Sequence, residues 1–293
     1  MWLWLSLISA LLLGFYDVSK KKALRRNEPV WILFAATALS TLFLSPFLGR
    51  GDLSAHLHLV LKALLVTTSW VSGMIALKLL PITTASTLKA TRPMFVVLFS
   101  IILFGEKLNI LQWGGVLLIM VAIWLLSRSS QKEGIDFKGN RGIVAMCISI
   151  ISGVASALFD KHIMAGLKME PLFVQSWANF YITLMLGAIL LLRQLYRVGQ
   201  RTGCDASPEH IRFKPDWWIL LIAVFITAAD ACYFFALQDE DALLAVVSMV
   251  RRCSVVITFV VGGLLFKEKH LQSKALSLGM ILVGIALLMF GTI

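Results

Sequence analysis

The stretch LFSIILFGEKLN (residues 98–109) is repeated, with changes, as VVGGLLFKEKHL (residues 260–271) in the second half of the chain. At the same offset of 162 residues, VAIWLL (121–126) aligns with VGIALL (283–288). Identical residues align within the first pair of stretches, among them Phe104 with Phe266, Glu106 with Glu268 and Lys107 with Lys269. Each copy holds two apolar segments joined by a charged turn, so the chain contains an internal repeat.

The composition is that of a chain whose main solvent is lipid. Apolar residues make up 59% and charged residues 15% of the 293 residues, whereas a soluble domain has roughly 45–50% and about 25%. These proportions exclude a soluble enzyme, a disordered protein and a coiled coil. The net charge of +11 comes from basic residues that lie mostly between apolar runs, where they anchor loops at a membrane surface. Nucleic acid is therefore not an expected partner.

We predict ten transmembrane helices, because apolar runs of about 20 residues cross a bilayer as helices. The predicted spans cover residues 1–18, 29–49, 60–78, 81–105, 108–127, 142–163, 171–192, 217–238, 242–266 and 272–292. The fold class is then an all-α integral membrane protein. Residues 1–127 form the first five-helix repeat, residues 128–141 a polar linker and residues 142–293 the second repeat.

The odd number of spans in each repeat decides its topology. After five crossings the chain lies on the other side of the membrane, so the second unit enters from the side opposite to the first. We therefore predict two inverted five-helix repeats. Many secondary transporters have this arrangement, and their substrate site lies near the midplane between the repeats.

The repeat motifs resemble those of the EamA-type branch of the drug/metabolite transporter (DMT) superfamily. In the first half, Ala76-Leu77, Pro93 and Phe104-Gly105-Glu106-Lys107 match the pattern of that family. In the second half, Cys253 stands where the family usually has proline, and Lys267 where it has glycine. The resemblance covers essentially the whole chain. It implies a ten-helix transporter and leaves the solute open, because the family carries very different solutes.

Four basic residues lie near the middle of predicted spans. Lys89 and Arg92 share one face of the fourth span, because they are three residues apart, and Arg251 and Arg252 lie in the ninth. A basic residue at the centre of a membrane helix costs roughly 2.5–3.5 kcal/mol when it faces lipid. These four side chains must therefore face a hydrated cavity or acidic partners.

The repeat can be aligned in two ways around these residues. A two-residue slip aligns Arg92 with Arg252, whereas the alignment without a slip places Lys89 on Arg251. The basic pair of the ninth span is similar to that of the sugar-phosphate translocators, relatives in the same superfamily that bind phosphate groups with Lys and Arg there. This second resemblance implies an anionic solute.

The acidic residues of the spans offer a different interpretation. Asp17, Asp160 and Asp230 are candidate partners for the four basic residues, in which case the charges are structural ion pairs. Glu106 and Glu268 lie at helix ends, where we expect them to cap or pin the hairpin turn.

We predict a solute site made of the basic residues together with polar and aromatic residues inside the spans. An apolar pocket with a few hydrogen-bonding groups is typical of such sites, and Asp230 would tether an arginine or release the solute on protonation. The predicted set is Tyr16, Trp70, Lys89, Arg92, Asp230, Tyr233, Arg251 and Arg252.

The function predicted from these features is secondary active transport of a small polar, anionic organic metabolite by alternating access. The sequence has no G-x-x-x-x-G-K-[ST] loop for ATP, so a coupling proton or a counter-solute would supply the driving force. One alternative is an exporter of amino acids or amphiphilic drugs whose intramembrane charges are structural. An integral-membrane enzyme or a receptor is the alternative from another class.

We expect no catalytic residue, no cofactor and no metal site. The four cysteines have no CxxC spacing, and the five histidines form no cluster beyond His56 and His58, which are expected in a loop. The predicted partners are the solute and the lipid bilayer, with the chain a monomer or homodimer in the cell (inner) membrane.

The orientation in the membrane has two opposed indicators. The odd-numbered loops, among them KKKALRR (residues 20–26), hold 18 of the 27 lysines and arginines, and the even-numbered loops hold 5. The positive-inside rule then places both termini outside. The family resemblance implies the reverse.

Overall fold

The computed structural model describes most of the chain. The described residues are 2–49, 51–95, 98–99, 109–131, 135, 137, 139–163, 167, 169–200, 214, 216–237, 250–251, 253–268 and 270–290. Ten α-helices have bounds within them: α1 (Trp2–Ala23), α2 (Pro29–Leu44), α3 (Leu53–Leu79), α4 (Ile82–Ala90), α5 (Ile110–Gln131), α6 (Arg141–Lys161), α7 (Pro171–Gln200), α8 (Trp217–Leu237), α9 (Ser254–Phe266) and α10 (Leu271–Phe290).

Seven of these helices are long and apolar enough to cross a membrane, and they correspond to seven of the predicted spans. α8 and α9 contain shorter apolar segments, Trp217–Cys232 and Ser254–Phe266. The outer faces of the long helices carry exposed large apolar side chains, such as Trp113 and Trp124 of α5, because lipid rather than water surrounds them. The all-helical membrane protein expected from the composition is confirmed.

The local sequence explains where several helices begin. The side chain of Asn140 accepts a hydrogen bond from the Gly142 amide at 2.8 Å, which caps the first turn of α6. α2 begins at Pro29, which lacks the amide hydrogen that a first helical residue would leave without a partner.

The closest helix pairs join the first half of the chain to the second. α1 packs against α8, α3 against α6, α5 against α10, and α2 against α7, while α4 packs mainly against α9 and α10. Small residues permit this approach: a Cβ atom added at Gly115 of α5 would lie 2.6 Å from the Gly284 carbonyl oxygen of α10. The two halves therefore share one packed body.

The fourth and ninth helices are broken at aligned positions. α4 ends at Ala90, and helical backbone resumes at residues 92–95. Helical residues 250–251 likewise precede Cys253, before α9 begins. Residues 91 and 253 are related by the 162-residue offset of the repeat. At each break an amide bonds three residues back, Thr91 to the Leu88 carbonyl and Cys253 to the Val250 carbonyl, both at 3.0 Å.

A polar cluster ties the start of α4 to the second half. One Glu268 carboxylate oxygen accepts the Ile82 amide at 2.6 Å, and the other accepts the Thr83 amide at 3.1 Å and the Thr83 hydroxyl. Lys274 of α10, which is 0% exposed, donates to that hydroxyl at 3.1 Å and lies 3.9 Å from the carboxylate. We call Thr83, Glu268 and Lys274 the α4 clamp. Glu268 is a cap as expected, but of a helix in the other half rather than of its own hairpin.

Helices α1, α3, α5 and α7 extend at least four residues beyond their predicted spans, and the extensions of α1 and α3 bear on residues named above. α1 continues to Ala23, so Lys20 lies inside the helix rather than in an interfacial loop. α3 begins at Leu53, and this places His56 and His58 in a helix, where a loop was expected. In both cases the helix continues past charged or polar residues that lie beyond the apolar run. Glu106 and Lys107 lie outside the described residues.

Candidate functional site

A cavity of about 370 Å³ lies between the helices of the two halves. A second compartment of about 380 Å³ shares part of its wall, including Tyr16, Asp17 and Arg92. Both volumes fall within the range of small-molecule sites. Six of the eight residues predicted to bind solute line the cavity of about 370 Å³: Tyr16, Trp70, Lys89, Arg92, Asp230 and Arg251.

The side chains of the other two predicted residues lie outside the described part of the structure. Arg252 lies outside the described residues. Tyr233 belongs to α8, but its side chain is outside the described part of the structure. The pairing of Arg92 with Arg252 across the repeat therefore stays a prediction, whereas Lys89 and Arg251 occupy aligned positions two residues before the two breaks.

The first cavity ion pair joins α4 to α1. The Lys89 ammonium donates to both carboxylate oxygens of Asp17, at 2.7 and 3.0 Å. Both residues belong to the first half of the chain. The Lys89 side chain is 42% exposed and that of Asp17 is 13% exposed, so water reaches the ammonium more easily than the carboxylate.

The second ion pair has the same plan in the second half. Arg251 donates through Nη2 to one Asp230 oxygen, and the Gln175 amide donates to the other at 3.0 Å. Each side chain of the ion pair is 21% exposed. Asp230 therefore holds an arginine, as the tether interpretation requires, and Gln175 of α7 fixes the carboxylate from its other side.

Arg92 follows the first break and crosses the contact between α3 and α6. Its Nη2 atom donates to the Ser69 hydroxyl and to the Ser149 carbonyl, both at 3.2 Å. A Cβ atom at Gly153 would overlap the guanidinium, so glycine is what lets this group lie flat against α6. The guanidinium is thus positioned by neutral oxygen acceptors as well as by packing.

Lys20 also lines the cavity and is not among the residues predicted to do so. The residue is 8% exposed, and its ammonium lies 3.8 Å from the centroid of the Tyr16 ring. Leu13, Tyr16, Asp17 and Lys20 all line the cavity, with the spacing of one helix face. That spacing is the signal in the sequence that indicates Lys20. It is hidden because Lys20 begins the basic run KKKALRR.

Asp160 does not join the cavity charges. Its carboxylate forms an ion pair with Lys62 of α3, away from Lys89 and Arg251, so of the three candidate acidic partners two pair with the intramembrane basic residues. The described residues that line the cavity carry two acidic and four basic side chains: Asp17, Asp230, Lys20, Lys89, Arg92 and Arg251. The described wall therefore has a formal excess of two positive charges.

Comparison with known proteins adds the family to this geometry. A family model described as the EamA-like transporter family matches residues 1–128 and 140–290. The chain belongs to this family. The EamA-like match spans both halves and makes the chain a multi-pass membrane protein of a family of small-molecule transporters, as the motif resemblance implied.

A solved structure agrees with the EamA-like chain at the level of the fold. One crystal structure, described only as that of a protein, superposes with a TM-score of 0.59 at 15% identity, over 95% of this chain and 96% of the other. This similarity shows a shared fold. Comparison with curated proteins gave no match.

Proposed function

We propose that this EamA-like protein is a secondary active transporter that moves a small organic anion by alternating access. The observation that carries the proposal is the charge of the cavity wall, with four basic and two acidic side chains among its described residues. Cations inside a membrane are costly and mark solute pathways when a cavity receives them. An anion in the cavity would offset the excess.

The chemistry of the wall suits carboxylate or phosphate groups. Guanidinium groups bind such anions through two parallel hydrogen bonds, which an ammonium cannot do. Arg92 and Arg251 line the cavity from the two halves of the chain. An anion between them would contact both halves at once, which is what a carrier needs if binding is to favour movement of one half against the other.

The helix pairs support an inverted repeat, which alternating access would use. Exchanging each helix with the one five places away converts the α1–α8 pair into α6–α3, and both pairs are present. The same exchange returns α2–α7, α4–α9 and α5–α10 to themselves, and these pairs are present too. Broken helices next to a midplane site are a further feature of such transporters, and both breaks lie beside cavity residues.

A second candidate function keeps the transporter but changes its cargo. Lys89 and Arg251 already contact aspartates, which favours structural ion pairing. In that case the apolar and aromatic wall would take an amino acid or an amphiphilic drug for export. The two candidates differ in what a neutral substitution of a cavity cation does to affinity.

Counterflow into proteoliposomes separates the two candidates. The purified full chain is reconstituted into proteoliposomes, which are preloaded in turn with anionic, zwitterionic and cationic metabolites. Uptake of each labelled compound is measured with and without a proton gradient. We expect an anion to exchange, and Arg92→Ala to weaken its binding by 10-fold or more, roughly the cost of an unpaired charge contact. Arg92→Lys would restore only part of the loss.

Lys62→Ala is the matched control, because Lys62 pairs with Asp160 and is not among the residues that line the cavity. It should leave the affinity for the anion unchanged. Exchange of a cation, or wild-type affinity for the anion in Arg92→Ala and Arg251→Ala proteins that insert and fold, would overturn the anion site and favour the exporter.

A further inference from the structure

The charge of Lys20 is held differently from those of the two ion-paired cations in the cavity. Its ammonium lies 3.8 Å from the Tyr16 ring centroid and 5.9 Å from the Trp70 ring centroid. Lys89 and Arg251 instead contact the carboxylates of aspartates. An aromatic face attracts a cation but brings no negative charge. The positive charge of Lys20 is therefore not neutralised by these two contacts.

The position of Lys20 places this charge close to the other cations. Lys20 is three residues after Asp17 on α1, which is about 4.5 Å along the helix axis, and Asp17 holds Lys89. On α3, Trp70 faces Lys20 and the adjacent Ser69 accepts a hydrogen bond from Arg92. Lys20 and Arg92 thus reach neighbouring residues of one helix from two sides of the same cavity.

We propose that Lys20 is a second anion-binding group and that the transported solute is a short organic dianion. One of its anionic groups binds Lys20 beneath the two aromatic rings, and the other binds on the guanidinium side of the cavity. This inference rests on the proposed function and narrows its substrate class. A dianion matches the excess of two positive charges on the described wall, whereas a monoanion offsets only one of these two charges.

The spacing limits the length of the solute. Lys20 approaches Trp70, and Arg92 donates to the adjacent Ser69, so the two binding groups lie close enough for anionic groups joined by a chain of a few atoms. Dicarboxylates of four carbons have this length. The flat faces of Tyr16 and Trp70 fix the position of the ammonium, so that the group is pre-organised for the second anion.

Thermal unfolding of the purified full chain in detergent tests the proposal with defined probes. Succinate is compared with butyrate, and fumarate with crotonate, at constant ionic strength, and affinities follow from the rise of the unfolding temperature with concentration. We expect at least one dianion to bind the wild-type protein about tenfold more tightly than its monoanionic analogue. Lys20→Met should abolish that preference and change the affinity for the monoanion less than about twofold.

Lys22→Met is the matched control. Lys22 lies on the same helix and its ammonium is also near two aromatic rings, 5.9 Å from Trp218 and 5.7 Å from Phe266, but it is not among the residues that line the cavity. It should keep the wild-type preference for the dianion, and Lys20→Arg should retain most of it. If Lys20→Met does not fold, Lys20→Gln replaces it in the same measurement. The preference of the wild-type protein for the dianion over the monoanion then tests the proposal together with that variant.

Equal binding of dianions and monoanions by the wild-type protein overturns the proposal, as does a dianion preference that survives in folded Lys20→Met. Failure of both dianions to bind overturns it too. Tight binding of a monoanion that depends on Arg92 would support the anion transporter but overturn the second anion-binding group at Lys20. Binding of cations or neutral solutes alone would overturn both proposals.

Discussion

The two helix breaks differ in sequence although their geometry is similar. Before each break a basic residue, Lys89 or Arg251, contacts an aspartate of its own half. Pro93 follows the first break, and it has no amide hydrogen to donate to a carbonyl of the preceding turn. At the second break the position aligned with Pro93 is Val255 at the offset of 162 residues and Cys253 with the two-residue slip, so neither alignment places a proline there. Proline is therefore not required for the break, and packing of the charged residue beside a cavity accompanies it in both halves.

The surroundings of the two ion pairs also differ. The Arg251 side chain is half as exposed as that of Lys89, and Asp230 receives an additional hydrogen bond from Gln175. The basic residue of the second half is thus more enclosed, and its carboxylate is held by two different side chains rather than by one. The first half instead holds its basic charge where water reaches it.

Removing the aspartates should give the largest effects, and unequal ones. We expect Asp230→Asn to lower the free energy of unfolding by about 3–5 kcal/mol, because it leaves an arginine that is mostly buried without its carboxylate. Asp17→Asn should cost about 1 kcal/mol, because Lys89 is partly hydrated. Unfolding of the purified protein by heat or SDS measures both. Glu28→Gln, on the long and more exposed pair with Arg193, is the control; equal losses at Asp17 and Asp230 would contradict the comparison.

A smaller loss is expected from the α4 clamp, which holds the first broken helix to the second half. Glu268→Gln replaces charge-assisted hydrogen bonds to Ile82 and Thr83 by neutral ones, at a cost of about 1.5–3 kcal/mol. The same unfolding measurement applies, together with hydrogen exchange of the Ile82 and Thr83 amides, which should become faster. Glu170→Gln, at an exposed glutamate, should change neither. Unchanged exchange in Glu268→Gln would mean that the clamp does not restrain α4.

The smallest effect is expected at the proline. Because the second half is broken without proline, Pro93→Ala should keep the first break and change the free energy of unfolding by less than about 1 kcal/mol. Hydrogen exchange across residues 91–95 reports whether a continuous helix forms. Strong new protection of these amides, with a large gain in stability, would show that proline alone causes the first break.

Much of the fold could be predicted because hydropathy is a local property. The run of α5 from Ile110 and that of α6 from Arg141 are visible from residue types alone. Lys20 is not, because whether a lysine at the end of an apolar run is buried depends on how far the helix continues and which face meets the cavity. The partner of Glu268 is separated from it by 185 residues, and no local pattern indicates such a contact.

The candidate site divides in the same way. Lys89, Arg92 and Arg251 are recognisable from the cost of charge in a membrane. The aspartate with which each basic residue pairs is not recognisable from the sequence. Asp160 pairs with Lys62, whereas Asp17 and Asp230 pair with basic residues of the cavity. The orientation of the chain in the membrane and the solute-binding role of these residues stay predictions.

The α4 clamp has a consequence for how a ribosome makes this protein. Glu268 is synthesised 185 residues after Thr83, which at about 5–20 residues per second is roughly 10–40 s later. During that interval the first amides of α4 have not met their carboxylate. The nascent first half therefore waits inside the membrane in an incomplete form, and a gene fragment that encodes it alone would yield a chain lacking the partner that completes its fourth helix.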